Sequence, residues 1–218
     1  MTILDNNIRY LQIAFNYNVG MVLGTLPKIV QDPRILIEAG TPFIKREGTR
    51  GIATIARMWR GHVVADLKTS DGAVGEVDLA RTAGATAATV IGNCPVETLD
   101  LFIERCQALN MISMIDMLGV DDPLRVMRPL SRPPDVVVIH RGRDEESNRS
   151  KMIRYRHINR IRSKYDAIIS AAGGVDLKES RSAVFNGANI VVVNFFKPND
   201  PWCGLTIDDD ITAISVKF

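Results

Sequence analysis

Eight short apolar runs, separated by segments with helical periodicity, organise the chain. The runs occupy residues 10–15, 35–37, 62–65, 86–91, 111–115, 135–139, 167–172 and 189–193. They are rich in Val, Ile and Ala, and their apolar residues follow one another instead of alternating with polar ones. Such continuous apolarity is typical of strands that are buried on both faces of a parallel sheet. The pattern therefore predicts eight parallel strands.

The segments between these runs predict amphipathic helices, most clearly at residues 49–58 and 95–109. In the second segment, Leu99 and Phe102 share one face with further apolar residues, while charged residues take the other face. Eight strands that alternate with helices in 218 residues leave about 27 residues for each strand–helix unit. This spacing predicts an α/β protein, a compact (β/α)8 TIM barrel that forms a single domain over residues 1–218. An open, doubly wound sheet is the alternative.

Composition supports a globular protein and excludes several other classes. The chain is 46% hydrophobic and 24% charged, which excludes a disordered protein. Its net charge of +2 does not favour a nucleic-acid partner. The three cysteines lack a CxxC spacing and predict free thiols in a reducing compartment. Because the N-terminal residues lack a signal-peptide pattern and no apolar run approaches the roughly 20 residues of a membrane helix, we expect a cytoplasmic protein without a membrane partner.

Polar residues and glycines follow most of the predicted strands. They are Asn16, Glu38, Asp66, Lys68, Asp71, Asp116, His140, Arg141, Arg143, Gly173, Gly174 and Asn194. In a (β/α)8 barrel the active site is built at the carboxyl ends of the strands. These residues are therefore the candidates for catalysis and binding.

The densest group is Asp66, Lys68 and Asp71, at the end of the third predicted strand. Side chains alternate along a strand, so Asp66 and Lys68 are expected to point to the same side. Neighbouring opposite charges favour each other's ionised forms. Such an array can bind a metal ion or stabilise a developing oxyanion. A surface ion-pair cluster on a strand–helix loop is the alternative.

Several further motifs occur in barrel order around this group. They are Leu11-Gln-Ile-Ala14, EAGTPFIKREG at residues 38–48, DLKTSD at residues 66–71, IDMLGVDDP at residues 115–123, HRGRD at residues 140–144 and AAGG at residues 171–174. Together, over about residues 10–193, they resemble the orotidine-monophosphate decarboxylase superfamily. Within it, the motifs are similar to the branch of 3-hexulose-6-phosphate synthase and 3-keto-L-gulonate-6-phosphate decarboxylase.

The resemblance implies a Mg²⁺ cofactor held by Glu38 and Asp66 together with oxygens of the substrate. Lys68 would stabilise the oxygen of an enediolate or a nearby hydroxyl group. His140 would move a proton to or from the sugar carbon. Arg143 would position a water molecule or the departing one-carbon group.

The resemblance also implies the binding partners. Asp71 would reach across the interface of a homodimer into the site of the other subunit. Gly173 and Gly174 would present backbone N–H groups to the phosphate of a phosphorylated sugar substrate. Asn16 and Asn194 would lie beside the substrate.

Both reactions of this branch pass through a metal-bound 1,2-enediolate of a pentulose 5-phosphate. The synthase forms it by proton abstraction and adds formaldehyde, whereas the decarboxylase forms it by losing CO₂ and then protonates it. The motif at residues 38–48 favours the synthase, and Arg143 favours the decarboxylase. The expected activity is therefore a lyase of the synthase type, with the decarboxylase as the alternative.

Two positions depart from the family pattern. Asn16 stands where the family has Asp, and it keeps the hydrogen-bonding shape of a carboxylate without its charge. Asn194, Phe195 and Phe196 stand where the family has a glycine that supplies phosphate-binding amides. These departures leave three possibilities: a synthase or decarboxylase with a modified phosphate site, an enzyme for another phosphorylated compound, or a barrel without catalysis.

Other polar segments have simpler explanations. The basic residues 148–164 predict a solvated helix face, with a polyanion-binding patch as the alternative. His62 and His157 are expected to be structural or surface residues. Residues 198–218 are expected to hold only a short final helix.

Overall fold

The structure, a computed structural model, describes residues 4–148, 150–196 and 204–206. Eight parallel strands form a closed barrel, because the first strand pairs with both the second and the eighth. The strands are β1 (Tyr10–Phe15), β2 (Ile35–Ala39), β3 (Val63–Thr69), β4 (Ala87–Ile91), β5 (Ile112–Asp116), β6 (Val136–His140), β7 (Ile168–Ala172) and β8 (Ile190–Phe196). The predicted (β/α)8 barrel is confirmed, and closure makes the open-sheet alternative wrong.

Helices follow the strands around the outside of the barrel. They are α1 (Val19–Thr25), α2 (Thr41–Met58), α3 (Ala73–Thr82), α4 (Val96–Ala108), α5 (Pro123–Met127), α6 (Arg156–Arg162) and α7 (Leu177–Phe185), with 3-10 turns at Leu26–Lys28 and Asp144–Ser147. The segment predicted to be helical from residue 49 belongs to a longer helix that begins at Thr41. Gly48 interrupts this helix with a φ of 59°, which L-residues with a side chain rarely adopt. The start of the predicted helix therefore coincides with a kink.

The apolar strands are buried on both faces, as their continuous apolarity predicts. Inside the barrel, Leu36, Val64, Met114 and Ile190 pack in one cluster. Their strand neighbours point outward and pack against the helices in a second, larger cluster. Removing both faces from water is the main source of the barrel's stability.

The end of β8 differs from expectation. The strand continues through Phe195 and Phe196, which pair in parallel with a two-residue strand, β9 (Leu205–Thr206). The Phe195 ring also stacks on Phe15 of β1, with ring centroids 5.5 Å apart. The expected final helix at residues 198–218 falls largely outside the described residues.

The described residues include no helix that is long and apolar enough to cross a membrane. Among the described residues of the basic segment, 148 and 150–164, the helical part is Arg156–Arg162. Its arginines are exposed while Ile158 and Ile161 face the core, which agrees with the predicted solvated face. The alternative of a polyanion-binding patch stays untested.

Candidate active site

The carboxyl ends of the strands surround a cavity of about 550 Å³. The predicted site residues that line it are Asn16, Glu38, Asp66, Lys68, His140, Arg143, Gly173 and Asn194. His62 and His157 lie outside this lining, as expected of structural histidines. Asp116 at the end of β5 also lines the cavity, so closure of the barrel brings together residues from seven different strand ends.

A charged network crosses the floor of the cavity. The Nζ atom of Lys68 lies 3.0 Å from both carboxylate oxygens of Asp66 and 2.6 Å from Oδ2 of Asp116. On the other side of Asp116, the Nδ1 atom of His140 lies 2.9 Å from both carboxylate oxygens. Three strands, β3, β5 and β6, therefore contribute one continuous hydrogen-bonded chain.

The network shifts the pKa values of Asp116, Lys68 and His140 towards their charged forms. Burial opposes ionisation of Asp116, but His140 and Lys68 outweigh it and hold the pKa of Asp116 well below its ordinary range. Burial also opposes the charge on Lys68, yet Asp66 and Asp116 raise the pKa of Lys68 above its ordinary value. For His140, burial is likewise outweighed by Asp116, which raises the pKa of the imidazole above 6.5.

The backbone at Lys68 is unusual. Its φ is +48°, a left-handed conformation that is uncommon for residues other than glycine. The register between β3 and β4 shifts between Ala65 and Thr69, so Lys68 occupies an irregularity in the strand. The Lys68 N–H donates to the Oγ1 atom of Thr89 at 2.9 Å, which supports this local geometry.

Two threonines fix the carboxylate of Asp66. The Thr41 hydroxyl donates to Oδ2 at 2.7 Å, and the Thr89 hydroxyl donates to Oδ1 at 2.8 Å. Thr41 also begins α2, so the start of the helix and the end of β3 are tied at this carboxylate. With Lys68 in addition, both oxygens of Asp66 are held by several donors.

Glu38, at the end of β2, is a buried carboxylate beside Asp66. Its Oε2 atom accepts a hydrogen bond from the side-chain amide of Gln12 on β1. Burial and the charge of Asp66 raise the pKa of Glu38 to about 7. In the described part of the chain, the Oε1 atom of Gln12 is buried and has no hydrogen-bond partner. Glu38 thus offers a carboxylate whose burial is not offset by neighbouring positive charge, and Gln12 offers an oxygen without a hydrogen-bond partner.

This donor set fits a hard divalent cation. Mg²⁺ takes oxygen ligands and commonly uses one or two carboxylates together with water and substrate oxygens. Glu38, with Asp66 and Gln12 beside it, offers this chemistry. Among the described residues, no cluster of three or more His, Cys, Asp or Glu side chains could hold a metal ion. A cation here would therefore depend on further oxygens from water or substrate.

Asp71 and the glycines lie at the edge of the site. Asp71 is exposed, outside the cavity lining, and its carboxylate accepts the backbone N–H of Gly72. Gly173 and Gly174 follow β7 with φ angles of 104° and 62°. A Cβ atom on Gly173 would lie only 1.9 Å from the carbonyl oxygen of Arg141, so only glycine fits there.

Several site residues were not assigned a role from the sequence. Asp116 was visible only as a polar residue at a strand end, and its central place between Lys68 and His140 depends on barrel closure. Gln12 carried a signal, because an amide within an otherwise apolar strand is a buried polar group that needs a partner. Thr41 and Thr89 carried none that distinguishes them from ordinary loop and strand threonines.

Comparisons with known proteins agree with this geometry. Residues 23–194 match the model of the orotidine 5'-phosphate decarboxylase / HUMPS family. The chain is 37% identical over 186 residues to the bifunctional enzymes Fae/Hps of Methanothrix thermoacetophila and Methanosarcina mazei. These alignments cover 84% of this chain and 47% of each relative, so the chain spans about half the length of these curated relatives.

Solved structures show the same architecture. The 3-hexulose-6-phosphate synthase from Salmonella typhimurium superposes with a TM-score of 0.77 at 28% identity, over 85% of this chain and 88% of that one. The 3-keto-L-gulonate-6-phosphate decarboxylase from Vibrio cholerae superposes with a TM-score of 0.71 over 86% and 88% of the two chains. At 20% identity, the second match shows the fold alone. The family match over residues 23–194, with relatives that are enzymes, shows that the chain belongs to the orotidine 5'-phosphate decarboxylase / HUMPS family.

Proposed function

We propose that the chain is a Mg²⁺-dependent lyase of the 3-hexulose-6-phosphate synthase type, which adds formaldehyde to ribulose 5-phosphate. The observation that carries this proposal is the buried network of Asp66, Lys68, Asp116 and His140 beside Glu38. The reaction needs a base at a sugar carbon and fixed positive charge beside the oxygen that becomes anionic. The network supplies both.

His140 is the proposed base. Its Nδ1 atom is engaged by Asp116, which leaves Nε2 as the nitrogen available to the substrate. In its neutral form His140 takes the proton from C1 of ribulose 5-phosphate, and the electron pair moves onto the neighbouring carbonyl to form the enediolate. C1 then forms the new bond to the carbon of formaldehyde while the carbonyl at C2 re-forms, and the former formaldehyde oxygen takes the proton from the imidazolium of His140. Asp116 stabilises the imidazolium ion that forms in the first step.

Lys68 is the proposed electrostatic partner of the enediolate. Its ammonium group is held charged by Asp66 and Asp116 and lines the cavity. A fixed cation in a water-poor site stabilises an oxyanion without the cost of reorienting solvent. Glu38 and Asp66 would hold Mg²⁺, which when bound supplies charge neutralisation for adjacent substrate oxygens.

The test is direct. Purified protein is incubated with Mg²⁺, ribulose 5-phosphate and formaldehyde, and formation of a hexulose phosphate is followed. We expect product in the presence of Mg²⁺, loss of product with EDTA, and at least about 100-fold lower activity in His140→Asn. His62→Asn, which removes a buried histidine outside the cavity, is the matched control. Absence of product together with absence of the reverse reaction would exclude the synthase function.

A second candidate is decarboxylation of a 3-keto-hexonate phosphate. It is favoured by Arg143, which lines the cavity three residues after His140 and would sit beside a departing CO₂. Loss of CO₂ would leave the same enediolate, to which protonated His140 would return a proton. Release of CO₂ from 3-keto-L-gulonate 6-phosphate, with no hexulose phosphate formed from formaldehyde, would favour this candidate over the synthase.

A barrel without catalysis is the third candidate, favoured by the departures at Asn16 and Asn194. If wild-type protein is inactive in both assays and Asn16→Asp alone confers activity, loss of catalysis is supported. If wild-type protein is active, this candidate is excluded.

A further inference from the structure

Thr89 of β4 faces an irregular part of β3. Four residue steps on β3, from Ala65 to Thr69, lie opposite two steps on β4, from Ala88 to Val90. Between these paired positions, Thr89 of β4 therefore lies opposite three residues of β3. The extra residues of β3 cannot all enter the regular ladder of hydrogen bonds, so their backbone groups need other partners.

A single hydroxyl group supplies such a partner. The backbone N–H of Lys68 donates to the Oγ1 atom of Thr89 at 2.9 Å, and the same hydroxyl group donates to Oδ1 of Asp66 at 2.8 Å. The Thr89 side chain is buried, and a hydroxyl group carries one proton and two lone pairs. Donation to Asp66 therefore fixes the direction of the hydroxyl group, and its lone pairs remain for Lys68. One oxygen links the backbone of Lys68 to the carboxylate of Asp66.

The position of the Lys68 ammonium group depends on the backbone at this point. With a φ of +48°, Lys68 has a left-handed conformation that is strained for a residue with a side chain, so the surroundings must hold it. From there, Nζ lies 3.0 Å from the carboxylate oxygens of Asp66 and 2.6 Å from Oδ2 of Asp116. Asp116 belongs to β5, and β4 lies between β3 and β5. The Lys68 side chain therefore spans the strand that carries Thr89 in order to reach Asp116.

We propose that Thr89 is a positioning residue for Lys68: its hydroxyl group holds the irregular backbone of β3 in the form that places the ammonium group between Asp66 and Asp116. Without this hydroxyl group the buried N–H of Lys68 loses its acceptor, which is unfavourable. We then expect the backbone to relax towards negative φ and to draw Nζ away from Asp116. This inference rests on the proposed function only in that Lys68 stabilises the enediolate.

The kinetic test compares two variants of Thr89 at saturating Mg²⁺. Thr89→Val keeps the shape of the side chain and removes the hydroxyl group, so kcat for the aldol addition should fall at least about tenfold. KM for ribulose 5-phosphate should change less than about threefold, because Lys68 acts on charge that develops after the substrate has bound. Thr89→Ser restores the hydroxyl group and should return kcat to within about threefold of wild type.

Thr86→Val is the matched control. The Oγ1 atom of Thr86 accepts the backbone N–H of Val63 at 3.0 Å, so Thr86 makes a similar bond to β3. Thr86 directly precedes β4, at the opposite end of the strand from the cavity that Thr89 lines. This variant should keep the kcat of wild type even where it lowers Tm.

Thr41→Val separates the two bonds of Thr89. The Thr41 hydroxyl group donates to the backbone oxygen and to Oδ2 of Asp66, so its removal weakens the hold on Asp66 and keeps the acceptor of the Lys68 N–H. We expect a smaller loss of kcat than in Thr89→Val. An equal loss would place the whole effect on Asp66 and overturn the inference.

The titration of His140, followed by NMR in EDTA, is a readout without turnover. Burial and the positive charge of Lys68 lower the pKa of His140, against the raising effect of Asp116. Withdrawal of the ammonium group should therefore move the His140 midpoint up by at least about 0.3 pH in Thr89→Val. The other charged side chains that line the same cavity are Glu38, Asp66, Arg143, Asp144, Glu145 and Glu146. The substitution alters none of these side chains, and Thr86→Val should leave the midpoint unchanged.

Three further results would overturn the inference: wild-type kcat and His140 midpoint in Thr89→Val, an equal loss of kcat in Thr86→Val, or no recovery in Thr89→Ser. If Thr89→Val does not fold, hydrogen exchange of the wild-type protein replaces it. The Lys68 amide should then be as protected as amides within the strands, and exchange at the rate of an exposed amide overturns the inference. Absence of aldol activity in wild type would exclude the proposed function alone, because the titration and the exchange need no turnover.

Discussion

The side-chain amide of Asn16 donates a hydrogen bond of 3.0 Å to the Oδ1 atom of Asn194. Asn16 follows β1 directly and Asn194 belongs to β8, the two strands whose pairing closes the barrel. They are also the two positions that depart from the family pattern, so the departures form one contact instead of two independent changes. Gly40 supports it, because a Cβ atom there would lie 2.1 Å from Oδ1 of Asn16.

The amide pair should be energetically coupled. We expect a double-mutant cycle of Asn16→Ala, Asn194→Ala and the double variant to give a coupling free energy of about 1 kcal/mol in urea unfolding. The physical reason is that either single variant leaves the other amide without its partner at a partly buried site. Additive effects of the two substitutions would show that the contact contributes nothing to stability.

Asp116 should control the protonation of His140. In Asp116→Asn the negative charge is lost while burial remains, so the pKa of His140 should fall from above 6.5 to below it. An NMR titration of the imidazole signals measures this, with His140 assigned through His140→Asn. The signals of His62 and His157 serve as internal controls and should titrate as in wild type. In a turnover assay the acidic limb of the pH profile should move to lower pH, since the neutral base persists to lower pH. An unchanged or higher pKa of His140 would contradict this account.

Lys68 should be essential for stability as well as for binding an anionic intermediate. Lys68→Met leaves the carboxylates of Asp66 and Asp116 without their shared cation, which typically costs about 3–5 kcal/mol at buried sites. Lys151→Met is the matched control, because Lys151 pairs with Glu145 at the surface and such pairs contribute about 0–1 kcal/mol. Adding Asp116→Asn to Lys68→Met should recover part of the stability in urea unfolding. If the double variant is less stable than Lys68→Met, the loss comes from packing instead of charge.

The strands and the barrel were predictable because burial on both faces leaves a local signal, the continuous apolar run. Alternation of side chains along a strand also predicted that Asp66 and Lys68 point to the same side. Alternation explains their contact only in part. Lys68 has a positive φ and sits at a register shift, so an irregularity in β3 shapes the contact. No pattern in a single strand announces such an irregularity.

The rest of the site depends on closure. Asp116 meets Lys68 across 48 residues of sequence and His140 across 24. Strand-end positions predict that these residues share one rim, but not which of them touch. The place of Glu146 in the cavity lining depends in turn on the path of a short 3-10 turn, which has no periodicity to detect.

Replacement of Glu38 by Gln should have opposite effects on the Tm of the metal-free and the metal-bound protein, which tests the expected metal site. Burial and Asp66 raise the folded-state pKa of Glu38 to about 7, above its ordinary 4.5. Its contribution to stability is therefore fully present below pH 4.5 and is lost as pH rises through about 7. In EDTA at pH 8, Glu38→Gln should raise Tm by roughly 5 °C, because the uncompensated buried charge is gone.

With saturating Mg²⁺ the wild-type protein should have a higher Tm than Glu38→Gln, since the metal stabilises only the protein that retains the carboxylate. Thermal scans at pH 8 and pH 5 measure both effects, and the gain in EDTA should shrink at pH 5. If Mg²⁺ stabilises Glu38→Gln as much as wild type, Glu38 is not a ligand of the metal.

Asp71 should act on the site of the other subunit if the expected homodimer forms. Its exposure and its position outside the cavity lining are what a residue that reaches across an interface requires. We expect Asp71→Asn and His140→Asn each to be nearly inactive alone. Co-expressed in equal amounts, they form heterodimers in which one site has both native residues, so about a quarter of wild-type activity should return. Lys68→Met co-expressed with His140→Asn is the control, because both residues belong to the cavity of one subunit and no intact site can form. Recovery in the first pair and none in the control identifies Asp71 as the contribution of the partner. No recovery in either pair assigns Asp71 to its own subunit and leaves the interface with no part in catalysis.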